Sequence, residues 1–192
     1  MKTAIFGGTF NPIHLGHLAI ADEVIAQTDC DRVLFVPANI PPHKEVDDPG
    51  ARHRLAMIQA SIAGDPRFSV SDCEISRAGV SYTIDTIRYL VGRGIVEPKP
   101  SLIVGDDLLQ GFCGWKESAA LLDECSLIIV HRQYKECVPF ASPHRYLGNL
   151  RIPISSTLVR ERVRAGGAWR YLVPNAARAI IQEQRLYGYI QG

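Results

Sequence analysis

The chain has 192 residues, 46% of them hydrophobic, with 21 Lys and Arg against 20 Asp and Glu and a formal charge of +1. That is enough apolar material for one compact domain, and too small a basic excess for the electrostatic footprint of a nucleic-acid binder. No apolar run approaches the roughly 20 residues that span a bilayer. The N-terminus lacks the charged, apolar and small-residue order of a signal peptide, so a cytoplasmic chain without a membrane segment is expected.

Thr3 to Phe6 reads as a strand ended by Gly7-Gly8, and Leu18, Ala21, Val24 and Ile25 then recur at helical spacing. Arg32 to Val36 makes a second strand closed by Pro37. Pro41, Pro42 and Pro49 mark a loop before a helix from about Ala51 to Ala63. Phe68 to Ser71 is a candidate strand, Thr83 to Arg93 a helix, and Ser101 to Val104 and Ser126 to Val130 are strands, the last after a helix ending near Cys125. Gln133 to Asn149 lacks periodicity and reads as a surface connection. Ser155-Ser156-Thr157 caps a helix through about Ala165, and Pro174 opens a last one, making a C-terminal helical part from about 156 to 187.

Apolar strands alternating with amphipathic helices predict an α/β fold, a Rossmann-like, doubly wound, mostly parallel sheet with helices on both faces. Its ligand site should lie beyond the carboxyl ends of the strands. The five cysteines, Cys30, Cys73, Cys113, Cys125 and Cys137, are scattered without a C-x-x-C pair or a Cys/His cluster, and read as reduced thiols buried as small hydrophobes.

Two stretches carry chemistry. In Gly7-Gly8-Thr9-Phe10-Asn11-Pro12-Ile13-His14-Leu15-Gly16-His17, a strand-ending glycine pair leads to two histidines at a helix entrance. Glycine lets backbone approach a ligand, the helix start offers amide donors, and His14 and His17 add side-chain donors, which together suit phosphate. The pattern matches neither the dinucleotide G-x-G-x-x-G nor the Walker G-x-x-x-x-G-K-[ST] motif. In Ile154-Ser155-Ser156-Thr157-Leu158-Val159-Arg160, cap hydroxyls and a guanidinium one turn along suit a polyphosphate.

Together these stretches resemble the paired H-x-G-H and ISSTxxR-like signatures of the nucleotidyltransferase superfamily. Pro41-Pro42-His43-Lys44, Ser81-Tyr82-Thr83, Gly105-Asp106-Asp107 with Trp115 downstream, and the Leu186-Tyr187 ending are similar to the nicotinate-mononucleotide adenylyltransferase family, over almost the whole chain. The phosphopantetheine adenylyltransferases resemble it at the His-x-Gly-His stretch and the ISST-like segment, and a nucleotide sensor of the same fold is the alternative from another class.

The resemblance implies one domain over residues 1–192 that transfers adenylyl from ATP to nicotinate mononucleotide, with Mg²⁺ accompanying the ATP and no structural metal. It implies that Gly7, Gly8, Thr9 and Phe10 lie along ATP, that His14 and His17 donate to its phosphates, and that Ser156, Thr157 and Arg160 hold the triphosphate. His14, His17 and Arg160 are thus the expected catalytic residues. Gly105 and Asp107 are expected near the adenosine, with Asp106 competing for that role, and Arg132 at the same sheet edge. The expected acceptor side is Asn11, Asn39, His43, Lys44, Tyr82, Thr83 and Trp115. Two departures stand out: Asn11 where such enzymes often carry Asp, and Gln133-Tyr134, where a Pro-Gly turn is common, read as touching only a loop. Neither a nucleic acid nor a membrane is an expected partner, and a homo-oligomer is left open.

Overall fold

The protein is described by a computed structural model that covers residues 1–40, 49–134 and 136–190. Six strands form one sheet: β1 (Thr3–Gly8), β2 (Arg32–Pro37), β3 (Phe68–Val70), β4 (Ser101–Gly105), β5 (Ser126–Val130) and β6 (His144–Tyr146). Their order is β3-β2-β1-β4-β5-β6, and every pairing is parallel. This is the doubly wound order, with its switch point between β1 and β4. At that point the chain leaves β1 towards one side and β4 towards the other, so a crevice opens at their carboxyl ends, where Gly8 and Gly105 stand.

The central strands β1, β2, β4 and β5 are largely apolar because both faces are covered. Ala4 and Phe6 point into one core, with helices α1 (Leu15–Gln27), α2 (Ala51–Ile62), α6 (Ser156–Arg164) and α7 (Asn175–Glu183). Ile5 points into the other, with α3 (Cys73–Arg77), α4 (Thr83–Gly92) and α5 (Ser118–Glu124). Among the described residues, no helix is long and apolar enough to cross a membrane.

Several details differ from the expectation. β1 does not stop at Phe6: Gly7 and Gly8 pair with Val36 and Pro37 in the ladder, so the turn begins only at Thr9. The connection from Gln133 to Asn149 contains β6, whose Leu127↔His144 to Ile129↔Tyr146 pairing extends the sheet. A 3₁₀ segment, Asp106–Gly114, follows β4 directly, and α3 was not expected. Cys30, Cys73 and Cys125 are buried, but Cys113, on the 3₁₀ segment beside the core-facing Phe112, and Cys137, in the connection before β6, are exposed. All five are free thiols.

Candidate active site

At the switch point, the loop after β1 carries the chain to His14, which caps α1 in extended geometry (φ −140°, ψ 169°). The His14 backbone N–H donates to His17 Nδ1 at 3.1 Å. With Nδ1 accepting, a neutral His17 carries its proton on Nε2, the nitrogen that remains to face a ligand. The two imidazoles stack with centroids 3.6 Å apart and 25° between their planes. Gly16 makes this possible, because a Cβ there would stand 3.1 Å from His14 Nδ1 and 3.2 Å from its Cε1. The glycine of the His-x-Gly-His pattern is therefore a steric requirement of the first histidine. Gly16→Ala should leave the Tm unchanged or raise it, since alanine favours helix by about 1 kcal/mol. It should also lower kcat about tenfold by pushing the His14 ring off its partner; an unchanged kcat would show that this ring position is not used.

The environment keeps both rings uncharged. Burial, reinforced by the positive Arg132, lowers His14 from 6.5 to about 3. Burial, then His14 and Arg132, lower His17 well below its ordinary value. The unfolded chain thus binds more protons than the folded one between about pH 3 and 6.5, so stability is complete above pH 6.5 and falls as pH drops through that window. For His14 the loss is about 1.4 kcal/mol per pH unit. A bound polyphosphate has the opposite preference, since an anion favours imidazolium. Thermal melts from pH 4 to 8 should show a steeper acid loss of Tm in the wild type than in His14→Gln, and ATP should flatten the wild-type slope.

His14, Gly16, His17, Asp107, Arg132 and Ser155 line one cavity of about 280 Å³. His14 Nδ1 and Asp107 Oδ1 are buried without a hydrogen-bond partner among the described residues, which leaves polar capacity for a ligand. Asp107 Oδ2 faces Arg132 Nη1 at 3.4 Å. Asp106 is fully buried, and its oxygens accept from the backbone N–H groups of Arg132 (3.0 Å), Gln133 (2.9 Å) and Tyr134 (3.1 Å). It shapes the loop after β5 and leaves Asp107 as the carboxylate in the cavity. Ile20, His131, Gln133, Leu150, Ile152 and Ile154 complete the lining. Apart from Ile154, which opens the second motif stretch, none of them was expected as a site residue, since they come from a helix flank and from stretches without periodicity. Gln133, read as a loop residue only, faces the cavity.

Other expected residues are placed differently. Phe10 is 2% exposed and packs edge-on against His17 at 4.9 Å, so its ring buttresses the histidine, and only backbone there is free to approach ATP. Two helix amides counted as ligand donors are used internally: Leu15 N–H donates to the Leu172 carbonyl and His17 N–H to that of His14. Side chains therefore supply donors in their place. Ser155 caps α6 by accepting from Leu158 N–H, while the Ser156 hydroxyl donates to the Pro12 carbonyl. Arg160 donates to the Asn11 carbonyl at 2.8 Å and to Thr157 Oγ1 at 3.4 Å. Asn11, expected on the acceptor side, is 2% exposed and accepts through Oδ1 from the Tyr187 hydroxyl at 2.7 Å. It ties the C-terminal segment to the loop after β1, a burial that its polar type did not signal.

Further along the sheet edge, Asn39 Nδ2 donates to the Gly79 carbonyl and its N–H to Ser81 Oγ. Tyr82 caps α4 with its ring exposed and Lys116 Nζ 4.9 Å from the centroid. Thr83 begins that helix, and Trp115, half-buried, lies 5.0 Å from Phe112. Gly7 is exposed with open space where a Cβ would be, while a Cβ on Gly8 would meet the Phe10 ring at 3.1 Å. His43 and Lys44 lie outside the described residues.

A parallel sheet with a neutral histidine pair, a guanidinium and a carboxylate at its switch point has the architecture of a nucleotide-phosphate site. The model of the cytidylyltransferase-like family matches residues 5–162. Curated relatives include the probable nicotinate-nucleotide adenylyltransferases of Borreliella burgdorferi, 36% identical over 188 residues, and of Synechococcus, 38% identical over 201 residues. These alignments cover 97% of this chain, and 97% and 96% of those proteins. Among solved structures, the Plasmodium falciparum nicotinic acid mononucleotide adenylyltransferase complexed with NaAD has the same fold, at TM-score 0.80, 19% identity and 99% coverage of both chains. The chain belongs to the cytidylyltransferase-like family and, within it, to the family of the nicotinate-nucleotide adenylyltransferases.

Proposed function

We propose that the protein transfers the adenylyl group of ATP to nicotinate mononucleotide, giving nicotinate adenine dinucleotide and pyrophosphate, a step of NAD biosynthesis. A phosphate oxygen of the mononucleotide attacks the α-phosphorus, and the bond from that phosphorus to the bridging oxygen of pyrophosphate breaks. The nucleophile is already anionic near neutral pH, so the chain need supply no base. What lowers the barrier is apposition of the two substrates and stabilisation of charge on the α-phosphate and the leaving group.

The observation that carries this reading is the convergence of uncharged, buried His14 and His17 with Arg132 and Asp107 on one cavity at the switch point. In this reading His17 Nε2–H and the His14 ring donate to the α-phosphate, and Arg160 with Thr157 faces the outer phosphates. Asp107 accepts from the ribose, and backbone from Gly7 to Phe10 follows the nucleotide. Asn39, Tyr82, Thr83 and Trp115, with Lys44, take the acceptor: the start of α4 offers amides to the nicotinate carboxylate and Trp115 a face to the ring.

Among the described residues no three His, Cys, Asp or Glu side chains cluster as metal ligands. His14, His17 and Arg160 are donors suited to phosphate oxygens rather than cation ligands, so in this reading Mg²⁺ would arrive on the triphosphate, held by phosphate oxygens and water. Such an ion would offset charge on the leaving pyrophosphate. We also take residues 1–192 as one nucleotidyltransferase domain. Five free thiols, two of them exposed, support a reducing compartment, the cytoplasm.

The test is incubation with ATP and Mg²⁺, offering nicotinate mononucleotide, nicotinamide mononucleotide and phosphopantetheine separately, with pyrophosphate release followed and products identified. Dinucleotide formation with the nicotinate acceptor is expected. Turnover with phosphopantetheine alone would keep the ATP site and discard the acceptor assignment. Nucleotide-dependent thermal stabilisation without turnover would make the protein a sensor.

A further inference from the structure

Arg54 has no exposed surface, although it is a cation on a helix at the edge of the site. It shares its face of α2 with Met57, Ile58 and Ile62, so its guanidinium is carried beneath the sheet's carboxyl end. There Nη1 donates to the Thr9 carbonyl at 2.8 Å and to the Ala38 carbonyl at 2.7 Å, and Nη2 donates to the Asn39 carbonyl at 3.1 Å. Thr9 belongs to the loop after β1, on the nucleotide side. Ala38 and Asn39 belong to the loop after β2, on the acceptor side.

From Asn39 the connection continues through bonds of the same kind. Its N–H donates to Ser81 Oγ at 2.9 Å, and Ser81 in turn bonds the buried Glu74 carboxyl. Glu74 Oε1 accepts from the Thr86 hydroxyl of α4 at 2.6 Å. A planar fork with several fixed donors can hold carbonyls of two loops at one spacing, which a flexible ammonium cannot do.

We infer that Arg54 is a positioning residue that fixes the nucleotide loop against the acceptor loop, and with it the approach of the attacking phosphate to the α-phosphate of ATP. The inference rests on the proposed adenylyl transfer to a mononucleotide bound beside Asn39. Its consequence is specific. Loosening the brace leaves each half of the site able to bind its own ligand and degrades the alignment of the two, and an error of about 1 Å in such alignment costs up to about 10²-fold in rate.

The test compares wild type, Arg54→Lys, Ser81→Ala and the double variant in dinucleotide formation from ATP and nicotinate mononucleotide, with the Kd of each substrate measured alone by calorimetry. Folded Arg54→Lys should show kcat about 30-fold lower with both Kd values within threefold of wild type. Ser81→Ala should fall about tenfold, and the double variant should be little worse than Arg54→Lys, because both break one chain of bonds. A role in stability alone would lower the Tm and the yield of folded protein and leave kcat at saturation unchanged, which overturns the inference. So does a multiplicative loss in the double variant, or a loss carried by the ATP Kd. If Arg54→Lys does not fold, Ser81→Ala decides, since it removes no buried charge, and kcat within threefold of wild type overturns the inference. A wild type that makes no dinucleotide overturns the functional reading itself and the inference with it.

Discussion

His17→Ala should lower kcat by about 10²- to 10³-fold, the loss of roughly 2.7 to 4 kcal/mol seen when a donor to a developing oxyanion is removed. His17 Nε2–H is aimed from a ring held on three sides: the His14 N–H bonds Nδ1, the His14 ring stacks on one face, and Phe10 and Phe6 pack edge-on at 4.9 and 5.9 Å. The donor is therefore oriented before substrate arrives. It is also neutral, held so chiefly by burial. Alanine removes packing as well as the donor, and some of its effect will be a lower Tm. His17→Asn separates the two. Its amide oxygen falls where Nδ1 stood and accepts from His14 N–H, but no atom reaches the Nε2 position. The asparagine variant should recover much of the Tm and little of the rate, read as kcat on protein shown by melting to be folded. A kcat within threefold of wild type in His17→Asn would refute the donor role.

The parts of this molecule that were legible in its sequence are those in which local pattern and tertiary role coincide. β1, β2, β4 and β5 are short apolar runs because a doubly covered parallel sheet leaves no polar face, and the structure places them within two residues of the expected bounds. β6 was illegible for the opposite reason. His144-Arg145-Tyr146 is an edge strand with two exposed residues, three residues long, and its pairing with β5 is decided by tertiary contact. In the site, the two histidines and Gly16 were legible as a spacing. Which of two adjacent aspartates faces the cavity was not, because it depends on three backbone amides more than 25 residues away that claim Asp106. Arg54 did leave a signal: an arginine in register with Met57 and Ile58 on a helix's apolar stripe is a charge that must find partners inside. Asn11 left none, since the Tyr187 hydroxyl that holds it lies 176 residues further along the chain.

Gly105→Ala should raise the KM for ATP by about 10- to 100-fold, the equivalent of losing charge-assisted hydrogen bonds of roughly 1.5 to 3 kcal/mol. The reason is steric and local. Gly105 has φ −70°, which any residue adopts, but a Cβ there would lie 2.3 Å from Asp107 Oδ1 and 2.5 Å from Arg132 Cδ. Neither distance is tolerable, and both obstacles are side chains, so the backbone of β4 stays and Asp107 and Arg132 swing apart. Overpacking of this kind costs stability about 1 to 3 kcal/mol, which the fold should survive. The same displacement has a second readout that does not depend on turnover. Arg132 is one of the charges that hold His14 and His17 uncharged, after burial itself. Moving it away should raise the His14 pKa from about 3 towards its ordinary value, visible in an NMR titration of the imidazole. An alanine variant with a raised ATP KM and a raised His14 pKa ties Asp107 and Arg132 to the nucleotide and the histidines at once. If the pKa rises while the ATP KM stays at the wild-type value, then the pair shapes the histidines' field without holding the nucleotide, and the adenosine must be sought against other residues of the cavity lining, such as Leu150 and Ile152.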